Sequence, residues 1–162
     1  TGQTADHQIN NLEDLENLLE NTTNNYWEIK NGYIISARKQ IKKLNEVLEK
    51  LTPKEYYELI DHVRIGVQEN VGVTFSERYD PLESDVRVTQ CYCSALSCGY
   101  TNIPKPLWEP LARLVLTANY LATILVACAN RSRSKTVFLT FLGGGVFQND
   151  YGWIADEIGH AI

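Results

Sequence analysis

Apolar residues recur at helical intervals through the first third of the chain. Leu12, Leu15, Leu18 and Leu19 form one stripe, which ends near the Asn/Thr-rich stretch at 21–25. Tyr26 to Lys30 reads as a short strand or a helix start. Ile34, Ala37, Ile41, Leu44, Val47 and Leu48 predict a second helix over 34–51. Thr52-Pro53, with Glu55 three residues after the threonine, predicts a capped third helix from Pro53 to about Ile60. From Val63 the period shortens to two. Val63, Ile65 and Val67 alternate with Arg64, Gly66 and Gln68, which predicts a strand. Ser76 to Asp85 is a polar loop. Arg87 to Leu96 predicts the next strand, with Thr89, Cys91, Cys93 and Ala95 on one face. A Gly/Pro-containing connection leads to a helix from about Pro110 to Ala129, apolar nearly all round and suited to burial against a sheet. Thr136 to Leu142 is rich in β-branched, aromatic and aliphatic residues and predicts a buried strand. Gly143-Gly144-Gly145 breaks it. Asn149 or Asp150 then caps a last helix through Trp153, Ile154, Ile158 and Ala161.

Strand, helix, strand, helix in that order predicts a layered α/β fold with a parallel pair and a right-handed crossover. The chain divides into a helical segment over 1–61, read as an arm or insertion, and an α/β core over 62–162. With 162 residues it is long enough for one ordinary domain with a full core. The formal net charge of −5 is unevenly placed. Residues 1–85 hold 16 acidic and 9 basic side chains; residues 86–162 hold 4 and 6. No basic stripe with interleaved aromatics is present, so nucleic acid is not an expected partner. Leu111 to Ala129 is the most apolar run, but Arg113, Thr117, Asn119 and Thr123 interrupt it, and a buried helix is expected rather than a membrane span. The chain starts at Thr1 and has no methionine, so it reads as an excerpt or a processed product. Cys91, Cys93, Cys98 and Cys128 lack the Cys-x-x-Cys spacing and the nearby histidine of a zinc site. They are expected to be buried free thiols in a reducing compartment, with no metal and no cofactor.

The chemistry concentrates at the glycine run. A strand, a glycine turn and a helix N-terminus together suit an anion, because glycine lets backbone N–H groups approach a ligand and the helix start adds partial positive charge. Phosphate is the ligand class this predicts. Carboxylates able to orient water are Glu69 at a strand end, Asp80, Glu83 and Asp85 in the loop, and Asp150 beyond the glycines. Asp80 and Asp85 are the preferred catalytic pair, since their loop can fold over a ligand, whereas capping explains Asp150. Ser94 and Ser97 lack the Gly-x-Ser-x-Gly surroundings of a serine hydrolase, and His7, His62 and His160 belong to no motif.

With these parts in place, the second half resembles a macrodomain, the ADP-ribose-binding module. The resemblance rests on Val88 to Ser97, on Ala118-Asn119-Tyr120-Leu121-Ala122 through Ala129, and on Val137 to Leu142. It continues through Gly143-Gly144-Gly145-Val146-Phe147 and Trp153 to Ile162, within about 75 residues. It implies a three-layer α/β fold, a mixed sheet with flanking helices, preceded here by the acidic helical segment. It also implies that the N–H groups of Gly144, Gly145 and Val146 wrap a diphosphate and that Phe147 lies beside the distal ribose. Gly143 and Asn149 complete the implied ligand-binding set. Two departures stand out. The family's usual Ser-Thr-Gly is replaced by three glycines, and the first half of the family pattern is missing. Either the chain is a divergent member with a helical insertion, or the excerpt lacks the first part of its domain. The Asn-, Ile-, Lys- and Glu-heavy composition is similar to that of divergent macrodomain effectors of the Legionella type, some of which remove ADP-ribose from ubiquitin. The implied activity is an ADP-ribosyl hydrolase acting on modified protein in the cytosol, the host cytosol for an effector. The alternatives are a non-catalytic ADP-ribose reader, and a protein-interaction module that docks a partner through helices 12–60.

Overall fold

The computed structural model describes residues 4, 6–73, 86–132 and 135–162. It is a mixed α and β protein built around one helix. That helix, α5, spans Lys105–Ala129, and its first half is enclosed: Trp108, Leu111, Ala112, Leu114 and Leu116 are fully buried. Three helices pack on it, namely α3 (Arg38–Leu48), α4 (Pro53–Asp61) and α6 (Tyr151–Ala161). Two short helices, α1 (Glu13–Leu18) and α2 (Asn21–Asn24), complete the first part of the chain. Leu15, Ile41, Leu44 and Ile154 close the same core from three further elements.

The helix boundaries follow local chemistry. At α4 the Thr52 hydroxyl accepts from the Glu55 N–H, and the Glu55 carboxylate accepts from the Thr52 N–H, with Pro53 at the first helical position. α5 begins five residues before the expected Pro110. Pro106 occupies its first turn, where a missing N–H costs nothing, and Pro110 is tolerated one turn further on. The second half of α5 is only half covered, with Leu125 60% exposed. By length and composition alone α5 is apolar enough to cross a membrane, but half of its most apolar stretch is buried inside the protein.

Two antiparallel hairpins accompany the helices. β1 (Glu28–Lys30) pairs with β2 (Tyr33–Ile35), and β3 (Gly66–Gly72) pairs with β4 (Arg87–Tyr92). The first hairpin corrects the expected helix over 34–51, which starts only at Arg38. Asn31 and Gly32 both take positive φ, +51° and +79°, the conformation of a tight two-residue hairpin turn, so Ile34 is drawn into a strand. The strand expected from Val63 begins instead at Gly66, and it carries an irregularity between Gln68 and Val71, with Asn70 at φ +58°.

The largest difference concerns Thr136–Leu142. The segment belongs to no sheet, and among the described residues both sheets are two-stranded and antiparallel. The expected parallel pair is not formed. The segment is held by α5 instead: the Tyr120 hydroxyl donates to the Thr140 carbonyl at 2.7 Å and accepts from the Leu142 N–H at 3.0 Å.

A polar clamp joins α5 to α6. Arg113 contacts Glu109, Asp156 and Glu157 at 2.8, 2.9 and 2.7 Å, and the Thr117 hydroxyl donates to Glu157 at 2.8 Å. Glu157 is buried, and His160 lies 2.9 Å away on its other side. Burial pushes the Glu157 carboxyl up, but the bonds from His160, Thr117 and Arg113 outweigh it and leave the group below its ordinary value of 4.5. A carboxylate depressed in the folded state contributes stability that is complete above its unfolded pKa and is lost as pH falls through the folded one. Glu157→Gln should therefore lower stability at pH 7 by about 1.5–3 kcal/mol, the range for hydrogen bonds to a charged group. Measured by urea denaturation across pH, the gap between wild type and variant should narrow below about pH 4.5.

Candidate functional site

The glycine turn is fixed from below and open above. Gly143 has φ +72°, and a Cβ there would lie 2.5 Å from both the Ala95 Cβ and the Asn149 Nδ2, so only glycine fits. The Gly143 carbonyl accepts from the Asn149 N–H at 3.0 Å, and the Asn149 amide donates to the Leu96 carbonyl at 2.8 Å. Asn149 is thus a buried staple between the turn and the segment after β4, and its enclosed Oδ1 has no partner among the described residues. The residue expected among the ligand contacts thus has its side chain turned inward to the Leu96 carbonyl. Gly144 lies against α6, where a Cβ would come within 3.0 Å of the Tyr151 ring and 3.3 Å of Ile154. Gly145 faces open space.

The hydrogen bonding of the turn leaves a consecutive set of donors unused. The Gly144 N–H reaches the Phe141 carbonyl at 3.3 Å, and the Gln148 N–H reaches the Gly145 carbonyl at 2.9 Å. The N–H groups of Gly145, Val146 and Phe147 have no acceptor among the described residues, and Val146 is 73% exposed. Three consecutive free amides on a glycine turn offer donors to an anion. The helix start contributes less than the sequence suggests. The Asp150 side chain caps α6 by accepting from the Gly152 N–H at 2.8 Å, so it already occupies that donor and places its own negative charge there.

Phe147 forms the rim. Its ring meets Tyr100 and Tyr33 edge-to-face at centroid distances of 5.5 and 6.0 Å, and the two tyrosines meet at 4.9 Å. A 3-10 turn, Cys98–Tyr100, brings Tyr100 there. The Gly99 N–H donates to the Phe147 carbonyl at 2.9 Å, and a Cβ on Gly99 would strike the Val146 carbonyl at 2.7 Å. Phe147 also borders a cavity of about 510 Å³ walled by Asn10, Tyr33, Ser94, Leu96 and Asn119. That volume lies within the range of small-molecule sites.

Of the expected site residues, Gly143, Gly144, Gly145, Val146 and Phe147 are brought together on this turn. Asp80 and Asp85, the expected catalytic pair, lie outside the described residues. Ser97 donates to the Ile34 carbonyl at 2.8 Å, and His160 is engaged with Glu157, so neither is arranged for nucleophilic catalysis. The four cysteines are free thiols, but only Cys98 is buried, and Cys128 is exposed, which corrects the expectation of burial for all. Burial pushes the Cys98 thiol up to about 12 and raises Cys91 and Cys93 as well, which disfavours the thiolate form of all three.

Two positions that build the site were not singled out as such from the sequence. Asn119 is buried and donates to the Ser94 and Val115 carbonyls, and the adjacent Tyr120 holds the approach to the turn. The available signal was their polarity in the middle of an apolar helix. No family model, curated protein or solved structure matches this chain.

The turn's two outer glycines differ in a way that denaturation can measure. Gly143→Ala should cost at least about 2 kcal/mol, from positive φ together with a steric clash. Gly145→Ala, with nothing near its Cβ, should cost under about 1 kcal/mol. Tyr120→Phe removes both bonds to the 140–142 backbone and should cost about 1–2 kcal/mol by the same measurement.

Proposed function

We propose that this chain is a macrodomain-like module that holds ADP-ribose by its diphosphate and hydrolyses its bond to a modified protein. One observation carries the reading: the free, consecutive N–H groups of Gly145, Val146 and Phe147 on an exposed turn whose shape is set by Gly143 and Asn149. A diphosphate presents several oxygens with strong demand for donors, and fixed amides meet it without reorganisation. The Phe147–Tyr100–Tyr33 edge supports a ribose alongside, since sugar C–H faces pack on aromatic rings. The order of β4, α5, the 136–142 segment and the turn also supports the finer three-layer macrodomain arrangement.

In this reading the amides orient the nucleotide, and the aromatic rim places the distal ribose. Departure of the protein side chain from the anomeric carbon leaves positive charge on the sugar, which a carboxylate from Asp80 or Asp85 stabilises while orienting water. Ubiquitin bearing ADP-ribose is the proposed substrate, and a reducing cytosol the proposed setting, which the four free thiols support.

Calorimetry with ADP-ribose tests the binding step. Gly145→Val should weaken affinity at least about tenfold, the equivalent of about 1.4 kcal/mol, with the fold intact by circular dichroism. Mass spectrometry of ADP-ribosylated ubiquitin tests the reaction. Release of ADP-ribose should be lost in the Asp80→Ala/Asp85→Ala double variant while ADP-ribose affinity is kept. Absence of binding heat in the wild type overturns the proposal; binding without release leaves a reader.

A further inference from the structure

Val137 to Leu139 lie outside helix and sheet, and their backbone N–H and C=O groups make no hydrogen bond among the described residues. Such groups normally find partners in a ladder. β4 has the matching vacancy, because among the described residues its Val88 to Cys91 stretch pairs with β3 alone. Both edges line one cavity of about 570 Å³, floored by Tyr120, Thr123 and Val126 of α5. Their directions also agree. Just past β4, Cys93 lies 3.4 Å from the Thr123 hydroxyl and 3.9 Å from the Asn119 carbonyl, while Thr140 and Leu142 are held by Tyr120. The C-terminal ends of the two stretches therefore sit at one level of α5. Arg87 and Thr136, at their N-terminal ends, line the same cavity as Asn130 at the end of α5. They run side by side in one direction, joined by a helix, which is the connectivity of a parallel pair. The segment's Val, Phe, Thr and Leu suit a strand, yet Phe138 is 89% exposed and Phe141 58%.

We propose that Val137–Leu142 is a strand held open, which closes onto β4 as its parallel neighbour when a ligand occupies the glycine turn. Leu142 lines the cavity and directly precedes Gly143, so the segment and the turn move as neighbours. Closure satisfies two backbone edges at once and removes Phe138 from water. A ligand that binds the turn better in the closed arrangement shifts the equilibrium by that difference in affinity. The ligand step rests on the ADP-ribose reading above; the closure itself does not.

Disulfide trapping separates the two. Cys91 lines the cavity from β4 and serves as the fixed partner, in a chain carrying Cys93→Ser and Cys128→Ser. Val137→Cys, Phe138→Cys and Leu139→Cys are then oxidised one at a time. Closure brings Cα atoms within disulfide reach at positions of one parity only, because strand side chains alternate. Cross-linking at Val137 and Leu139 but not Phe138, or the reverse, is the expected result. No cross-link at any of the three, or equal cross-linking at all three, overturns closure. Saturating ADP-ribose should speed the cross-link at least fivefold. In the unsubstituted chain it should slow amide exchange about tenfold at Val137–Leu139 and Val88–Cys91 together. Slowing confined to Gly145–Phe147 overturns the coupling. If calorimetry finds no ADP-ribose binding, the ligand step falls, and trapping in the free chain still decides whether the strand closes.

Discussion

Every peptide group carried into the middle of this protein needs a partner, and α5 supplies several that the small sheets do not. Asn119 satisfies the Ser94 carbonyl beyond the end of β4, and Tyr120 satisfies Thr140 and Leu142 ahead of the glycine turn. Adjacent residues on one helix thereby position both chain segments that frame the candidate site. An apolar residue at either place would leave backbone groups without a partner, at a cost comparable to a lost hydrogen bond for each. The apolar packing of α5 and the shape of the turn are therefore linked through two polar side chains.

The turn itself separates into structural and available parts. Gly143 and Asn149 are committed downward to Ala95 and Leu96, and Gly144 is pressed against α6. Gly145, Val146 and Phe147 keep their amides. A run of three glycines thus does two jobs. The first two positions permit close approach of neighbouring chain, and the third leaves room above the backbone. The Arg113–Glu157 clamp ties α6 to α5, and α6 is the floor under Gly144.

How much of this could be read beforehand depended on whether the signal was local. The capping box at Thr52 and Glu55, the cap before α6 and the amphipathic stripe of α3 are each decided within a few residues, and they were legible. The turn at Asn31-Gly32 was equally local and went unread, because the apolar spacing from Ile34 onward fits a helix as well as a strand. The segment 136–142 has every local property of a strand and lacks a neighbour. Pairing is a property of two segments at once, and composition speaks for only one of them. The glycine turn was visible as a candidate, but the inward bonding of Asn149 was not, because a buried and an exposed asparagine are spelled alike.

The edge-to-face rings of Tyr33, Tyr100 and Phe147 come from the first hairpin, the 3-10 turn and the glycine turn, three places far apart in the chain. Whatever grips Phe147 therefore leans on a tyrosine delivered by the acidic part of the protein. Trimming the chain past that tyrosine would leave the glycines in place and remove its ring from the wall beside them. In that sense the opening residues are masonry for the far end of the molecule.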